Sequence, residues 1–245
     1  MRYLVLSDIH ANWEGLQAVL ADAEGGYDEM ICLGDVVGYG ADPNAVTDWV
    51  RENVPTVIRG NHDKACCGLE DPEYFNPIAL KACEWTAQVL TEANRNYLRE
   101  LPQGPLDLDH FLMVHGSLRD EDEYIIGAHE AVYQLPLAPG RVVLFGHTHL
   151  QGGFATWNTP MGISMIPPTT GRMSLPIEKG RTYLVNPGSV GQPRDHIWEA
   201  GYAVFDTAGP CIEYRRCPYD IDTAKDKILD AKLPPALAER LSFGQ

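Results

Sequence analysis

Short apolar runs that end in Asp, Asn or His constrain the fold of this chain more than any other sequence feature. Predicted strands of this kind lie at residues 3–7, 30–33, 56–58, 111–114 and 142–145. Residues 13–23 and 43–53 separate the first three runs, and their apolar positions have helical spacing. Because ligands bind at the carboxyl ends of strands in open α/β sheets, we expect the polar side chains to converge on one edge.

The order of the predicted elements indicates the fold class. Further strands are predicted at residues 153–157, 173–177, 182–185, 202–205 and 212–215. A long helix is predicted at residues 78–98, and a helical stretch at 221–241 is interrupted by Pro234 and Pro235. Alternation of strand and helix followed by many strands is typical of an α/β (α+β) fold with two face-to-face sheets and helices outside. No repeat or low-complexity linker divides the chain, so we expect a single domain over residues 1–245.

The charge balance excludes some partners. The chain has 34 Asp and Glu against 19 Lys and Arg, a formal net charge of −15. Binding to a long nucleic acid depends on cations that displace counterions, so no long nucleic acid is expected as a partner. An anionic membrane surface is excluded for the same reason, and no apolar stretch approaches the ~20 residues of a transmembrane helix. Bound cations can still reverse the sign locally and admit a small anionic substrate.

The six cysteines form no C-x-x-C pair, and two of them are adjacent. This spacing fits neither a disulfide framework nor a zinc knuckle. Reduced thiols and the lack of a signal-peptide pattern predict a cytoplasmic protein.

Each polar motif has an ordinary structural explanation when it is taken alone, such as a helix cap or a tight turn. Taken together, the motifs contain five of the eight histidines, and each offers a carboxylate, imidazole or amide donor. The motifs are Asp8-Ile9-His10, Gly34-Asp35, Gly60-Asn61-His62-Asp63, His115-Gly116 and Gly146-His147-Thr148-His149. Such a donor set without Cys suits Mn²⁺, Fe, Zn²⁺, Co²⁺ or Ni²⁺ better than Cu(I) or an iron–sulfur cluster.

This series of motifs resembles that of the calcineurin-like metallophosphoesterase superfamily, and most of all its compact bacterial and archaeal phosphodiesterase branch. The segment at residues 186–194 also resembles that branch. The resemblance implies a four-layer sandwich of two mixed β-sheets flanked by helices. It implies two divalent metal ions, with seven ligands: Asp8, His10, Asp35, Asn61, His115, His147 and His149.

In the family pattern, Asp8, His10 and His149 hold one ion, Asn61, His115 and His147 hold the other, and Asp35 bridges the two. His62 corresponds to the catalytic histidine, and Asp63 is its acidic neighbour. Manganese is the first expectation for both ions, with iron, nickel, zinc or cobalt as alternatives.

The resemblance predicts a metal-dependent phosphoesterase that hydrolyses phosphate esters, with phosphodiesters as the first expectation. A hydroxide that bridges two ions would attack phosphorus in line. His62 is the expected general acid, because imidazolium titrates near neutral pH. Asp63 is the residue expected to orient it.

Two residues outside the ligand set are candidate substrate contacts. Arg194 has a planar fork suited to a non-reacting phosphate oxygen, and a surface salt bridge is its alternative. Asn12 follows the first motif, and its alternative is a helix N-cap. Residues 157–179 are predicted to form either a surface ribbon or a flap beside the metal edge. Residues 66–77 are a second segment that can overhang the site.

Three other functions are weighed against the phosphodiesterase. Hydrolysis of dinucleoside polyphosphates would use the same centre. A non-catalytic protein-interaction module on this fold is expected to lose ligands, yet this chain keeps all seven. A nuclease is disfavoured because the chain has no basic tract. The expected partner is a small phosphorylated substrate, and the expected state is a monomer or small homo-oligomer.

Overall fold

The computed structural model describes residues 1–157 and 162–245. The strands of these residues are β1 (Arg2–Leu6), β2 (Glu29–Cys32), β3 (Thr56–Val57), β4 (Leu106–Asp107), β5 (Phe111–Met113), β6 (Val142–Leu144), β7 (Gly152–Trp157), β8 (Gly162–Ile166), β9 (Arg172–Pro176), β10 (Tyr183–Asn186), β11 (Ala200–Asp206) and β12 (Cys211–Cys217). The helices are α1 (Trp13–Ala23), α2 (Pro43–Asn53), α3 (Asn61–Cys67), α4 (Pro77–Val89), α5 (Glu92–Glu100), α6 (Ala128–Gln134), α7 (Ile221–Asp230) and α8 (Pro235–Leu241).

The strands form two six-stranded sheets. The first has the order β3-β2-β1-β11-β12-β9, and the second has the order β4-β5-β6-β10-β7-β8. Strands β1, β2 and β3 pair in parallel, whereas β11 runs antiparallel to β1. In the second sheet β5, β6 and β10 are parallel, and β7 is antiparallel to β10. Both sheets are therefore mixed, and the predicted fold class is confirmed.

The side chains of β1 show how the layers are assembled. Tyr3 and Val5 pack in the apolar cluster between the two sheets, which also contains Phe111 and Met113 of the second sheet. Leu4 and Leu6 point to the other face and join a cluster with α1, α2, α4, α7 and α8. A third cluster lies between the second sheet and α6. Alternation with a period of two residues thus buries both faces of the strand.

Two helical predictions needed correction. The helix predicted at residues 78–98 is two helices, α4 and α5, because the Thr91 side chain accepts a hydrogen bond from the backbone N–H of Asn94 and starts a new helix. Residues 61–67 form the helix α3, which was interpreted from sequence only as a turn or cap. The break at Pro234 and Pro235 was expected, and α7 and α8 lie on either side of it.

The segment at residues 157–179 joins both sheets. Strand β8 pairs antiparallel with β7, and β9 pairs with β12 of the other sheet. Residues 158–161 of this predicted segment lie outside the described residues. Within the part of the chain that is described, no helix is long and apolar enough to cross a membrane.

Candidate metal centre

The seven predicted ligands follow the carboxyl ends of five strands that belong to both sheets. In the first sheet, β1 ends two residues before Asp8, and β2 ends three residues before Asp35. In the second sheet, β5 and β6 precede His115 and His147 in the same way. Since the two sheets pack face to face, these strand ends lie at one edge of the sandwich and bring the side chains together.

The backbone at this edge is held in an unusual conformation. Five of the seven predicted ligands have positive φ angles between 49° and 64°: Asp8, His10, Asp35, His147 and His149. A non-glycine residue in this region costs on the order of 1–3 kcal/mol, and such residues concentrate at functional sites. The turns after the strands are thus shaped to aim the side chains, at a cost to stability.

The first group of donors consists of Asp8, His10, Asp35 and His149, whose ligand atoms all lie within 4.8 Å of one another. Nε2 of His149 is 3.4 Å from Oδ1 of Asp8 and 3.1 Å from Nε2 of His10. Nε2 of His10 is 3.5 Å from Oδ2 of Asp35. All four side chains are buried.

The second group consists of Asp35, His115 and His147, whose ligand atoms also lie within 4.8 Å of one another. Nε2 of His115 is 3.4 Å from Oδ2 of Asp35 and 3.2 Å from Oδ1 of Asn61. The amide of Asn61, in the first turn of α3, therefore belongs with this group. Both groups share a single carboxylate, that of Asp35.

The two oxygens of Asp35 have different surroundings. Oδ1 accepts a hydrogen bond of 2.8 Å from the backbone N–H of His62. Oδ2 is buried, faces His10 and His115, and has no hydrogen-bond partner among residues 1–157 and 162–245. An unpaired buried carboxylate oxygen is costly in a protein interior, and a cation in each group would satisfy it.

Backbone carbonyls fix the tautomer of all four histidine ligands. Because a carbonyl oxygen can only accept, the ring nitrogen that faces it carries the hydrogen. Nδ1 donates to Val37 O (3.0 Å) in His10, to Leu33 O (2.8 Å) in His115 and to Gln192 O (2.6 Å) in His149. In His147 it is Nε2 that donates, to Asp122 O at 3.0 Å. The remaining nitrogen of each neutral ring is a lone-pair donor aimed into the centre.

This tautomer assignment tests whether the residues fit metal ions. Nε2 of His10 and Nε2 of His149 face each other with lone pairs at 3.1 Å. Acceptors that face each other repel unless a cation lies between them. The mixture of imidazole nitrogen, carboxylate oxygen and amide oxygen, without sulfur, suits borderline divalent metals. The residues present therefore fit two divalent cations.

Burial sets the protonation of most ligands. Burial lowers the pKa of His10 and of His149 well below the ordinary value, and lowers that of His147 to about 3. These three rings are neutral at pH 7 and ready to bind a metal ion. Burial would also lower the pKa of His115, but the carboxylate of Asp35 outweighs it and raises the pKa to about 9. Burial raises the pKa of Asp8 to about 6.

His62 lies in the first turn of α3, beside both groups of donors. Its ring is 4.8 Å from the His10 ring and 4.3 Å from the Tyr39 ring, centroid to centroid. Its Nδ1 is 3.4 Å from Sγ of Cys83. Burial lowers the pKa of His62, but the nearby Tyr39, Cys83 and Asp35 outweigh it and raise the pKa to about 10. The ring is therefore a proton donor at neutral pH in the metal-free protein.

Asp63 has a different role from the one expected of it. Its carboxylate accepts hydrogen bonds from the backbone N–H groups of Val36, Val37 and Gly60 at 2.9, 3.2 and 3.0 Å. The side chain therefore ties the loop after β2 to the start of α3, and it does not contact the ring of His62. The correction has a simple reason: at the third position of a helix, an acidic side chain reaches back to the backbone before its first turn.

The side chain of Asn12 caps helix α1. Its Oδ1 accepts from the backbone N–H of Gly15, and its Nδ2 donates to the carbonyl of Gly191. Both ends of the amide are thus used within the protein. The N-cap alternative is the one the structure supports.

Arg194 lies at the edge of the first group. Its Nη2 donates to the Tyr39 hydroxyl and to Oε1 of Gln192, both at 3.2 Å. Its backbone N–H donates to the carbonyl of His149. The surface salt bridge considered as an alternative is not formed within residues 1–157 and 162–245, so the guanidinium is available beside the centre.

A cleft of about 380 Å³ opens next to the second group of donors. Aromatic rings form much of its wall, together with polar side chains: Tyr39, Asn61, His62, Glu70, Phe75, Asn76, Ala79, Asp122, Tyr124 and His147. The Tyr124 ring stacks on His147 at 3.9 Å, and the Phe75 ring is 4.8 Å from His62. Residues 66–77 do overhang the site, as expected, whereas no described residue of 157–179 lines this cleft.

Sequence reasoning missed several residues of this site. Tyr124, Cys83 and Arg240 surround the centre, yet none lies in a motif or at a strand end. Their proximity to His147, His62 and Tyr39 depends on the packing of segments that are distant in sequence, which leaves no local pattern. A signal was available only for Tyr39, which follows the Gly34-Asp35 motif closely.

Comparisons with known proteins agree with this geometry. The calcineurin-like phosphoesterase superfamily domain matches residues 1–209. An uncharacterised protein of Methanocaldococcus jannaschii is 36% identical over 98% of this chain and 97% of its own length. The crystal structure of a metallophosphoesterase from Sphaerobacter thermophilus is 36% identical, with a TM-score of 0.88 over 100% of this chain and 99% of that one.

A hypothetical protein from Pyrococcus horikoshii is similar in fold alone, at 21% identity and a TM-score of 0.73 over 100% of this chain and 98% of that one. The family match covers most of the chain, and the donors that its motifs supply meet at one edge of the sandwich. The chain therefore belongs to the calcineurin-like phosphoesterase superfamily.

Proposed function

We propose that this protein is a dinuclear metal-dependent hydrolase of phosphate esters, with phosphodiesters as its first substrates. The observation that carries the proposal is the carboxylate of Asp35, whose unpaired Oδ2 faces ligands of both donor groups. A carboxylate in this position can give an oxygen to each of two ions. When bound, the two ions would clamp the phosphoryl group, activate a water molecule and absorb the charge that develops on oxygen.

The side chains of the chain perform the remaining steps. Hydrolysis adds one oxygen of water to phosphorus and breaks the bond to the leaving oxygen, which needs a proton. His62 lines the cleft, and its Nδ1 faces Cys83, so Nε2 is the nitrogen that can deliver this proton. Asp63 supports the reaction by holding the first turn of α3, and hence His62 and Asn61, against the loop after β2. Arg194 can donate to a non-reacting phosphate oxygen.

The cleft and the surface favour a small phosphorylated substrate. A volume of about 380 Å³ falls in the range of small-molecule sites. The net charge of −15 repels a long polyanion, while two divalent ions would make the centre locally positive. Manganese is the first candidate for both ions, with iron, nickel, zinc or cobalt as alternatives. The proposed setting is the cytoplasm, and the proposed state is a monomer or small homo-oligomer.

The test uses protein stripped with chelator and then assayed with bis-p-nitrophenyl phosphate and p-nitrophenyl phosphate, with and without Mn²⁺ or Ni²⁺. We expect metal to restore activity, with the diester the better substrate. Asp35→Asn should abolish it, whereas His62→Ala should reduce hydrolysis of a phenyl diester, whose poor leaving group needs the acid, far more than hydrolysis of the p-nitrophenyl diester. The matched controls are Asp222→Asn and His129→Ala, whose side chains are 87% and 81% exposed and lie outside the centre.

Loss of activity in the control variants as well would show that the assay reports general damage. Activity that survives Asp35→Asn would contradict the proposal, because no shared carboxylate would then be needed. A protein that binds metal but hydrolyses neither ester would leave the nucleotide anhydrides and the interaction module as the remaining functions.

A further inference from the structure

Two arginines converge on one tyrosine at the edge of the candidate centre. Arg194 and Arg240 each donate through Nη2 to the same atom, Oε1 of Gln192, at 3.2 and 2.6 Å. Their guanidinium carbons lie 5.7 and 4.5 Å from the centroid of the Tyr39 ring. Arg240 comes from α8, far from every metal motif in sequence. Arg194 and Arg240 are called the arginine pair below.

Neither guanidinium of the arginine pair has a carboxylate partner within residues 1–157 and 162–245. Two other arginines with little exposed surface do have one: Arg59 pairs with Glu121, and Arg215 pairs with Glu213. The nearest acidic residue in sequence to Arg194 is Asp195, but its carboxylate is engaged by Arg216. In a chain with 34 acidic residues, two adjacent cations without a counter-ion are an exception that needs a cause.

The arrangement is costly for the protein alone. Both side chains are at least half-buried, and Nε of Arg240 has no hydrogen-bond partner in the described part of the chain. The pKa of Arg240 is lowered to about 10, chiefly by burial; Tyr39 opposes this effect, and the neighbouring charge of Arg194 adds to it. Two like charges that share a half-buried position repel each other, and a bound anion removes that repulsion.

The arginine pair lies within one side chain of the reacting position. The Tyr39 ring is 4.6 Å from the His10 ring and 4.3 Å from the His62 ring. The Arg194 backbone donates to the carbonyl of His149, another ligand of the first group. A phosphoryl group held by the centre would therefore have its next covalent neighbour close to the arginine pair.

We propose that Arg194 and Arg240 form a subsite for a second phosphoryl group, which is directly linked to the one that reacts. The substrate class is then a phosphoric anhydride, such as a nucleoside diphosphate or a longer polyphosphate. This inference rests on the proposed phosphoester chemistry. Guanidinium groups suit it because their planar forks match phosphate oxygens, and two of them balance a dianion. The aromatic wall formed by Phe75 and Tyr124 offers flat surfaces to a nucleobase.

The test is a binding measurement that does not depend on turnover. AMP and the α,β-methylene analogue of ADP, whose P–C–P link cannot be hydrolysed, are titrated into protein at a fixed free Mn²⁺ concentration. The two ligands differ by one phosphoryl group. We expect the wild type to prefer the diphosphate analogue by about 10-fold or more, since charge-assisted hydrogen bonds are worth that much.

Arg194→Gln and Arg240→Gln should each reduce this preference to about 2-fold or less. Arg240→Met keeps a long side chain over Tyr39 and should lose the preference as well, which separates charge from packing. The control is Arg172→Gln, an exposed arginine of the edge strand β9 that changes the net charge by the same amount. It should leave the preference unchanged.

A preference that survives in all three variants of the pair would overturn the subsite, as would a wild type that binds both ligands equally. These outcomes are distinct from failure of the proposed function. If the wild type cleaves no ester yet prefers the diphosphate analogue and loses that preference in Arg194→Gln, the subsite stands and the esterase does not. If the wild type cleaves simple esters without any such preference, the esterase stands and the subsite falls.

Discussion

Replacement of Gly38 by alanine is expected to displace the catalytic histidine. Gly38 lies in the loop after β2 with φ at 89°, and a Cβ atom there would meet the His62 ring at 2.4 Å from Nδ1 and 3.0 Å from Cγ. No other side chain is closer to that position. The substitution therefore adds one methyl group directly against the ring that is proposed to protonate the leaving group.

Two effects contribute to the expected magnitude. A left-handed conformation costs a non-glycine residue roughly 1–2 kcal/mol of stability. The clash is separate: ordinary carbon contacts are about 3.5–4.0 Å, so the ring must retreat by about 1 Å or more. A misplacement of about 1 Å in a catalytic group can reduce the rate on the order of 100-fold. We expect kcat/KM to fall by about that factor.

Gly25→Ala is the matched control. Gly25 has φ at 68°, and a Cβ atom there would meet nothing within 4 Å. Both variants should lose about 1–2 kcal/mol of unfolding free energy, as measured by urea denaturation. Only Gly38→Ala should lose activity. The assay is hydrolysis of a phenyl phosphodiester, whose poor leaving group needs the acid, by metal-reconstituted protein.

The reasoning is refuted if Gly38→Ala keeps activity within about 3-fold of Gly25→Ala, since the misplacement would then not matter. The metal content of the variant must also be measured, because loss of the bound ions is a second way for activity to be lost. If Gly38→Ala loses its bound ions, the damage reaches the centre itself, and the loss cannot be assigned to His62.

Three further predictions follow from the same contacts. Cys83→Ala removes the partner of His62 Nδ1, so hydrolysis of a phenyl ester should slow by about 10-fold while hydrolysis of a p-nitrophenyl ester stays nearly unaffected. Cys83→Ser should keep part of the activity on the phenyl ester. Equal losses on both esters would contradict this. Because the pKa of His115 is raised to about 9, the metal-free ring holds a proton at pH 7 that metal must displace. Calorimetry in buffers of different ionisation enthalpy should therefore show about one proton released at pH 7, about half a proton at pH 9 and almost none above about pH 10.5, with metal affinity rising up to about pH 9. Release that does not change with pH would contradict this. Asp63→Ala leaves three backbone N–H groups without their acceptor and should cost about 3 kcal/mol of unfolding free energy, whereas the exposed Asp222→Ala should cost less than about 0.5.

The ligand set could be predicted from sequence because its information is local. Each ligand lies within a few residues of the end of an apolar run, and strand ends of parallel pairs meet at one edge. The two face-to-face sheets were predictable from the order of the elements, because alternating strands and helices followed by many strands are typical of that arrangement. Residue type and period were sufficient for these features.

The rest depends on contacts between distant segments. Arg240 reaches Gln192 and Tyr39 because the end of α8 and residues 10–12 line one small pocket, and no pattern around residue 240 indicates this. Cys83 meets His62 through the packing of α4 on α3. The sequence placed Asp63 at the site, but it did not show which way its side chain points. Only the start of α3 at residue 61 shows that the carboxylate turns back to the backbone.

The most direct test of the central claim is the number and position of bound metal ions. Reconstituted crystals should show two anomalous peaks per chain, about 3.5–4 Å apart, with the Asp35 carboxylate between them. Elemental analysis should give two ions per chain in the wild type and fewer in Asp35→Asn. A single fully occupied ion, or two ions that do not share Asp35, would contradict the account.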